Sequence, residues 1–152
     1  MHITSVAQFY IIGIATITSN EYGKSASDIP QLWQRFFSEN IIDIIPDKVD
    51  NSVYCVYADY ERDHTKPYTT ILGCRVNSLE TVPAGLTATL IEGGPYRLFT
   101  AEGKIADGIV FSEWTKIWNT DISRVYTADF EVYGEKALDP DDAAIDIFIA
   151  VK

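Results

Sequence analysis

The sequence predicts an α+β fold: a duplicated βαββ unit with pseudo-two-fold symmetry, antiparallel sheets, two main helices and a ligand cleft between the halves. Three observations carry this. β-prone runs and helical apolar stripes follow one another in the same order twice along the 152 residues. The phrase WQRFF, Trp33 to Phe37, lines up with WTKIW, Trp114 to Trp118, at a spacing of 81 positions. ADYE, Ala58 to Glu61, lines up with ADFE, Ala128 to Glu131, at a spacing of 70. The two registers differ, so the first half needs a longer link from helix to strand, and residues 40–51 supply it. One domain over 1–152 is expected, with repeats at about 5–80 and 86–152.

Each element has its own signal. Phe9 to Thr18 is rich in Ile and Thr and reads as a strand. Asn20 to Asp28 is polar and turn-like. Ser27 or Asp28 can cap a helix with Pro30 in its first turn, where proline is tolerated. Ile29, Leu32, Trp33, Phe36 and Phe37 then form one helical stripe. Val53 to Glu61 and Tyr68 to Val76 read as a hairpin around a polar loop holding Asp63, His64 and Pro67. If that hairpin is symmetric about residues 63–66, Cys55 and Cys74 fall opposite one another. A disulfide is then geometrically open to them, although free buried thiols suit a cytosolic chain better.

The second half opens after Val82-Pro-Ala-Gly85. Leu86 to Ile91 is an extended lead-in, Gly93-Gly94-Pro95 a turn, and Tyr96 to Ala101 a strand. Asp107 is a candidate cap for the helix carrying Val110, Phe111, Trp114, Ile117 and Trp118. Arg124 to Gly134 and Ala143 to Val151 form the second hairpin.

Composition excludes some functions. With 22 acidic and 12 basic residues the net charge is −10, which repels nucleic-acid phosphates and suits a cationic ligand or a basic protein partner. It equally serves solubility alone. No run reaches the roughly 18 apolar residues of a membrane span, and the N-terminal stretch lacks the basic region of a signal peptide, so cytoplasmic placement is expected. Two cysteines and two histidines, His2 and His64, offer no spacing for a metal or haem, and no cofactor is expected. No Ser-His-Asp or Cys-His set is discernible, and His64 reads as a solvated loop residue.

One residue type is out of pattern. In Asp129-Phe-Glu-Val-Tyr133 alternation puts Phe130 and Val132 on one face and Asp129, Glu131 and Tyr133 on the other. The aromatic helix stripes need an apolar sheet face, so Phe130 and Val132 are expected to meet them. Glu131 then faces away. It is there either an ordinary solvated acid, which alternation alone favours, or the wall of a seam between the two halves.

The order strand, Trp-bearing helix, DFEVYG, acidic-proline loop and final IDIFIAV strand resembles the GyrI-like small-molecule-binding domain, the effector-binding module of many AraC-type and MerR-type transcription regulators. Val82-Pro-Ala-Gly-Leu86 and Ile91-Glu-Gly-Gly-Pro-Tyr96 also look like a passage of that family. The resemblance spans nearly the whole chain. It implies a cleft for hydrophobic, often cationic, compounds, with a glutamate as acidic determinant. That position is Glu131, followed by Tyr133; Trp114 matches the helix tryptophan, and Tyr57 is a further lining candidate. Tyr54, Tyr60, Tyr96 and Phe111 complete the candidate aromatic lining, and whether Asp59 and Glu61 join it is open.

No DNA-binding segment is discernible, so a stand-alone version without direct nucleic-acid contact is expected. A binding protein is favoured over an enzyme. Two alternatives stand beside it: a hydrolase opening strained cyclopropane-type natural products with Glu131 as its catalytic acid or base, and an acidic protein acting on a basic partner such as DNA gyrase. The ligand and the oligomeric state are not legible.

Overall fold

The computed structural model describes residues 3–61 and 65–152. His2, Asp63 and His64 lie outside the described residues, so half of the expected 63–66 turn does too. The order of elements is β1 (Ile3–Val6), β2 (Phe9–Thr18), α1 (Lys24–Ser38), α2 (Ile41–Ile44), β3 (Val53–Ala58) and β4 (Tyr68–Val76). The second half follows with β5 (Thr87–Ile91), β6 (Gly94–Gly103), α3 (Ile109–Trp118), β7 (Arg124–Tyr133) and β8 (Ala143–Val151).

The eight strands of the described residues form a single antiparallel sheet in the order β1-β6-β8-β7-β3-β4-β2-β5. The halves therefore join edge to edge through β3 and β7 within one sheet. They also exchange their leading strands: β1 pairs with β6 of the second half, and β5 with β2 of the first. Two βαββ units related by a pseudo-two-fold are the result.

The sheet is curled into a half-barrel. Phe9 on β2 and Phe130 on β7 are three strand spacings apart, about 14 Å on a flat sheet, yet their ring centroids lie 5.3 Å apart. The concave face is filled by Phe9, Ile11, Val56, Ile71, Ile91, Tyr96 and Phe130. The convex face carries Ile12, Ile14, Cys55, Leu72, Ile147 and Ile149, and α1 and α3 press Leu32, Phe36, Trp114 and Ile117 onto it. Gly13 and Gly73 sit opposite each other on β2 and β4. A Cβ on Gly13 would stand 2.1 Å from the Leu72 carbonyl oxygen, so only glycine permits this backbone approach.

Several expectations are corrected. Phe130 and Val132 point into the concave core, and Glu131 faces the helices. The sequence pattern misleads here because the curl gives the second face an apolar filling of its own, so aromatic strand residues need no helix to cover them. α1 begins at Lys24, straight after a 3-10 turn (Glu21–Gly23), which places Pro30 inside the helix and removes Ser27 and Asp28 as caps. Gly108, at φ 72°, precedes α3 in place of Asp107. The ADYE phrase is no echo of ADFE in space. Asp59 takes φ 50° and ends β3 at Ala58, whereas β7 runs on through Tyr133. Cys55 pairs with Leu72, not Cys74, and both thiols are free and buried.

Among the described residues no helix is long and apolar enough to cross a membrane.

Candidate functional site

A cavity of about 290 Å³ opens between α1 and α3 over the β3–β7 seam. α1 contributes Ser25, Ala26, Ile29, Pro30 and Trp33, and α3 contributes Val110, Phe111, Trp114 and Trp118. These are pairs at the 81-residue spacing: Ile29 with Val110, Pro30 with Phe111, Trp33 with Trp114. At the mouth Phe111 stays largely in solvent, 68% exposed. The floor is Tyr57, Tyr133 and Glu131, and Asn20, Tyr60, Tyr68 and Arg124 close one end.

Glu131 sits opposite Cys55 in the β3–β7 register. Tyr57 and Tyr133 each lie two residues beyond that pair on their own strands, so the pseudo-two-fold passes through Cys55 and Glu131. The helices obey the same symmetry. Trp33 meets the Tyr133 ring edge-on at 4.7 Å, and Trp114 meets the Tyr57 ring edge-on at 5.4 Å.

The carboxylate on this axis is 1% exposed. Tyr57 donates its hydroxyl to Oε2 at 2.7 Å and Trp114 its indole N–H to the same oxygen at 2.6 Å. Tyr133 donates its hydroxyl to Oε1 at 2.6 Å. Among the described residues no basic side chain forms an ion pair with Glu131. Burial raises its pKa above the ordinary glutamate value, and the three donors pull it back down. An indole N–H can only donate, which favours the ionised carboxylate beneath it. Burial, with the carboxylate as a second cause, lifts the Tyr133 phenol well above its ordinary value. Burial does the same for Tyr57, the Cys55 thiol adding most after it, so both phenols stay protonated donors.

The four site candidates, Glu131, Tyr133, Trp114 and Tyr57, meet at one point, and Tyr60 and Phe111 also line the cavity. Tyr54 and Tyr96 belong to the concave core. Asp59 and Glu61 are exposed and do not line the cavity. Trp33, Trp118, Tyr68 and Arg124 are not among the sequence candidates; the 81-residue spacing carried the signal for Trp33, since its partner Trp114 was already in view. No group of three or more His, Cys, Asp or Glu residues that could hold a metal occurs among the described residues.

The chain is similar to known proteins over nearly its whole length. The family model Cass2, described as integron-associated effector binding protein, matches residues 2–151. The Bacillus subtilis (strain 168) protein YobU, named by inference as a transcriptional regulator, is 26% identical over 155 residues, covering 99% of this chain and 97% of its own. An integron cassette protein from the mobile metagenome of Vibrio cholerae is 28% identical with a TM-score of 0.79, covering 99% of this chain and 95% of that one. SAV2435, solved bound to tetraphenylphosphonium, has the same fold at a TM-score of 0.81 and 16% identity, over 99% of this chain and 93% of that one.

Proposed function

The chain belongs to the Cass2 family of integron-associated effector binding proteins, a GyrI-like effector-binding family, and from that membership we propose that the cleft between α1 and α3 is the effector site. Its effector is a hydrophobic small molecule carrying a positive charge, and residues 2–151 act as one binding unit.

The observation that carries this reading is Glu131: a buried carboxylate, held by three neutral donors, at the floor of an aromatic cavity. Such a charge is costly to bury without a counter-ion, and a ligand cation supplies what the protein leaves out. Trp33, Trp114 and Trp118 offer ring faces, each contributing cation–π attraction of about 0.5–2 kcal/mol. Pairing of the walls about the axis suits a charge placed centrally between flat arms. That SAV2435 is solved with tetraphenylphosphonium, a cation of this shape, supports the choice. The same three donors weaken the carboxylate as a hydrolytic base, because each pulls its pKa down.

Titration with tetraphenylphosphonium, followed by tryptophan fluorescence, tests the proposal, since all three tryptophans line the cavity. Binding that weakens at least about tenfold in Glu131→Gln, while a neutral probe such as triphenylphosphine oxide is little affected, is expected. Equal losses for both probes would remove the carboxylate from the mechanism.

A further inference from the structure

A second carboxylate lies under the same cleft. Asp129 precedes Glu131 by two residues on the same face of β7 and is completely buried. It does not line the cavity. Its Oδ2 accepts Arg124 Nη2 at 2.7 Å and the Tyr60 hydroxyl at 2.6 Å, and its Oδ1 accepts the Ala150 N–H at 2.9 Å. That last bond fastens the carboxylate to β8.

Arg124 reaches this position through a bulge. It pairs with Val151 while Asp129 pairs with Ile149, so five residues of β7 advance only two along β8. Tyr126, at φ 58°, turns the chain within the excursion. The guanidinium is thereby folded back into the cleft wall, 4.3 Å from the Tyr126 ring centroid and 5.9 Å from that of Trp114. Trp114 is also the indole that donates to Glu131. Trp114 thus neighbours both a buried guanidinium and a buried carboxylate, and among the described residues these two form no ion pair with each other.

In a poorly screening interior, a flexible guanidinium lining the same cleft would be drawn toward an ionised carboxylate unless something held it elsewhere. A carboxylate already neutralised by a fixed arginine offers a cationic ligand little. We propose that Asp129 is a specificity-determining residue: by holding Arg124, it keeps Glu131 unpaired and so sets the cleft's preference for positively charged over neutral ligands. Asp129 touches no ligand and acts through Arg124. The inference rests on the cation-binding reading of the cleft.

The test compares wild type, Asp129→Asn and the double variant Asp129→Asn/Arg124→Met. Asparagine keeps an acceptor for the Ala150 N–H but removes the charged partner of the guanidinium. Affinity for tetraphenylphosphonium should fall about tenfold in the single variant, with triphenylphosphine oxide changed less than about twofold, and recover in the double variant to within about threefold of wild type. A purely structural role predicts equal losses for both probes and no recovery, and either result overturns the proposal. A second readout needs no ligand. Titration of the Glu131 side-chain carboxyl by 13C NMR should give a lower pKa in Asp129→Asn than in wild type, and a return in the double variant. The same pKa in all three overturns the inference even if tetraphenylphosphonium proves a poor ligand, which would count against the function reading instead.

Discussion

Tyr57 and Tyr133 occupy equivalent positions in the two halves, and each donates its hydroxyl to a different oxygen of Glu131, at 2.7 and 2.6 Å. The acid on the pseudo-two-fold is thus gripped from both repeats. This ties the halves together at the seam as well as forming the floor of the cleft.

Tyr57→Phe and Tyr133→Phe should therefore resemble each other. Each removes one hydrogen bond to a charged group, about 1.5–3 kcal/mol at neutral pH. Urea unfolding with an unchanged slope would measure it. A loss confined to one of the two would show that the grip is one-sided.

Stability should fall with rising pH because of Glu131. Its folded-state pKa lies above the ordinary value of 4.5, so the folded protein holds this proton more tightly than the unfolded chain. The contribution is most favourable below that value and declines as pH rises from it through the folded-state pKa. Above both it stays constant. Glu131→Gln lacks this component, and the difference between the two denaturation profiles isolates it. A difference that does not vary with pH would contradict the burial argument.

Cation binding runs in the opposite direction with pH. The carboxylate must be ionised to attract the ligand, so affinity for tetraphenylphosphonium should strengthen as pH rises through the folded-state pKa and then level off. Calorimetry in buffers of different ionisation enthalpy should detect proton release within that window and none above it. Affinity that is flat across the window would show that the Glu131 charge does not contribute to binding.

Both thiols should resist modification in the folded protein. Burial, reinforced by Glu131, pushes the Cys55 thiol well above its ordinary value, and burial raises Cys74 to about 11. An aromatic disulfide reagent at neutral pH should react with neither until denaturant is added, and then with two thiols per chain. Rapid labelling of the native protein would show that the floor of the cleft opens.

Gly73→Ala should be strongly destabilising, because its Cβ would lie 2.2 Å from the Ile12 carbonyl oxygen and neither backbone can withdraw without flattening the curl. A loss of several kcal/mol, of the order reported for overpacking, is expected by thermal or chemical unfolding. Unaltered stability would mean that the strands yield more easily than their register suggests.

Local signals made most of the fold legible. Tyr68–Val76 and Ala143–Val151 could be read to the residue, because β-branched runs bounded by polar loops leave few alternatives. The tryptophan phrases identified the paired helices through spacing alone. Glu131 stood out because an acid inside an aromatic strand is locally unfavourable unless something else requires it. Strand faces were not legible. Alternation says which residues share a side, but not which side meets the helices.

The sequence by itself determined the duplicated order of elements and the acidic residue at the heart of the cleft, since spacing and residue type are local properties of the chain. Tertiary structure alone decided that the sheet curls, that Glu131 faces the helices, and that Arg124 reaches Asp129 through a bulge. Those outcomes depend on how distant strands close around one another and on which buried charges then find partners. Neither is encoded in the pattern of any single segment.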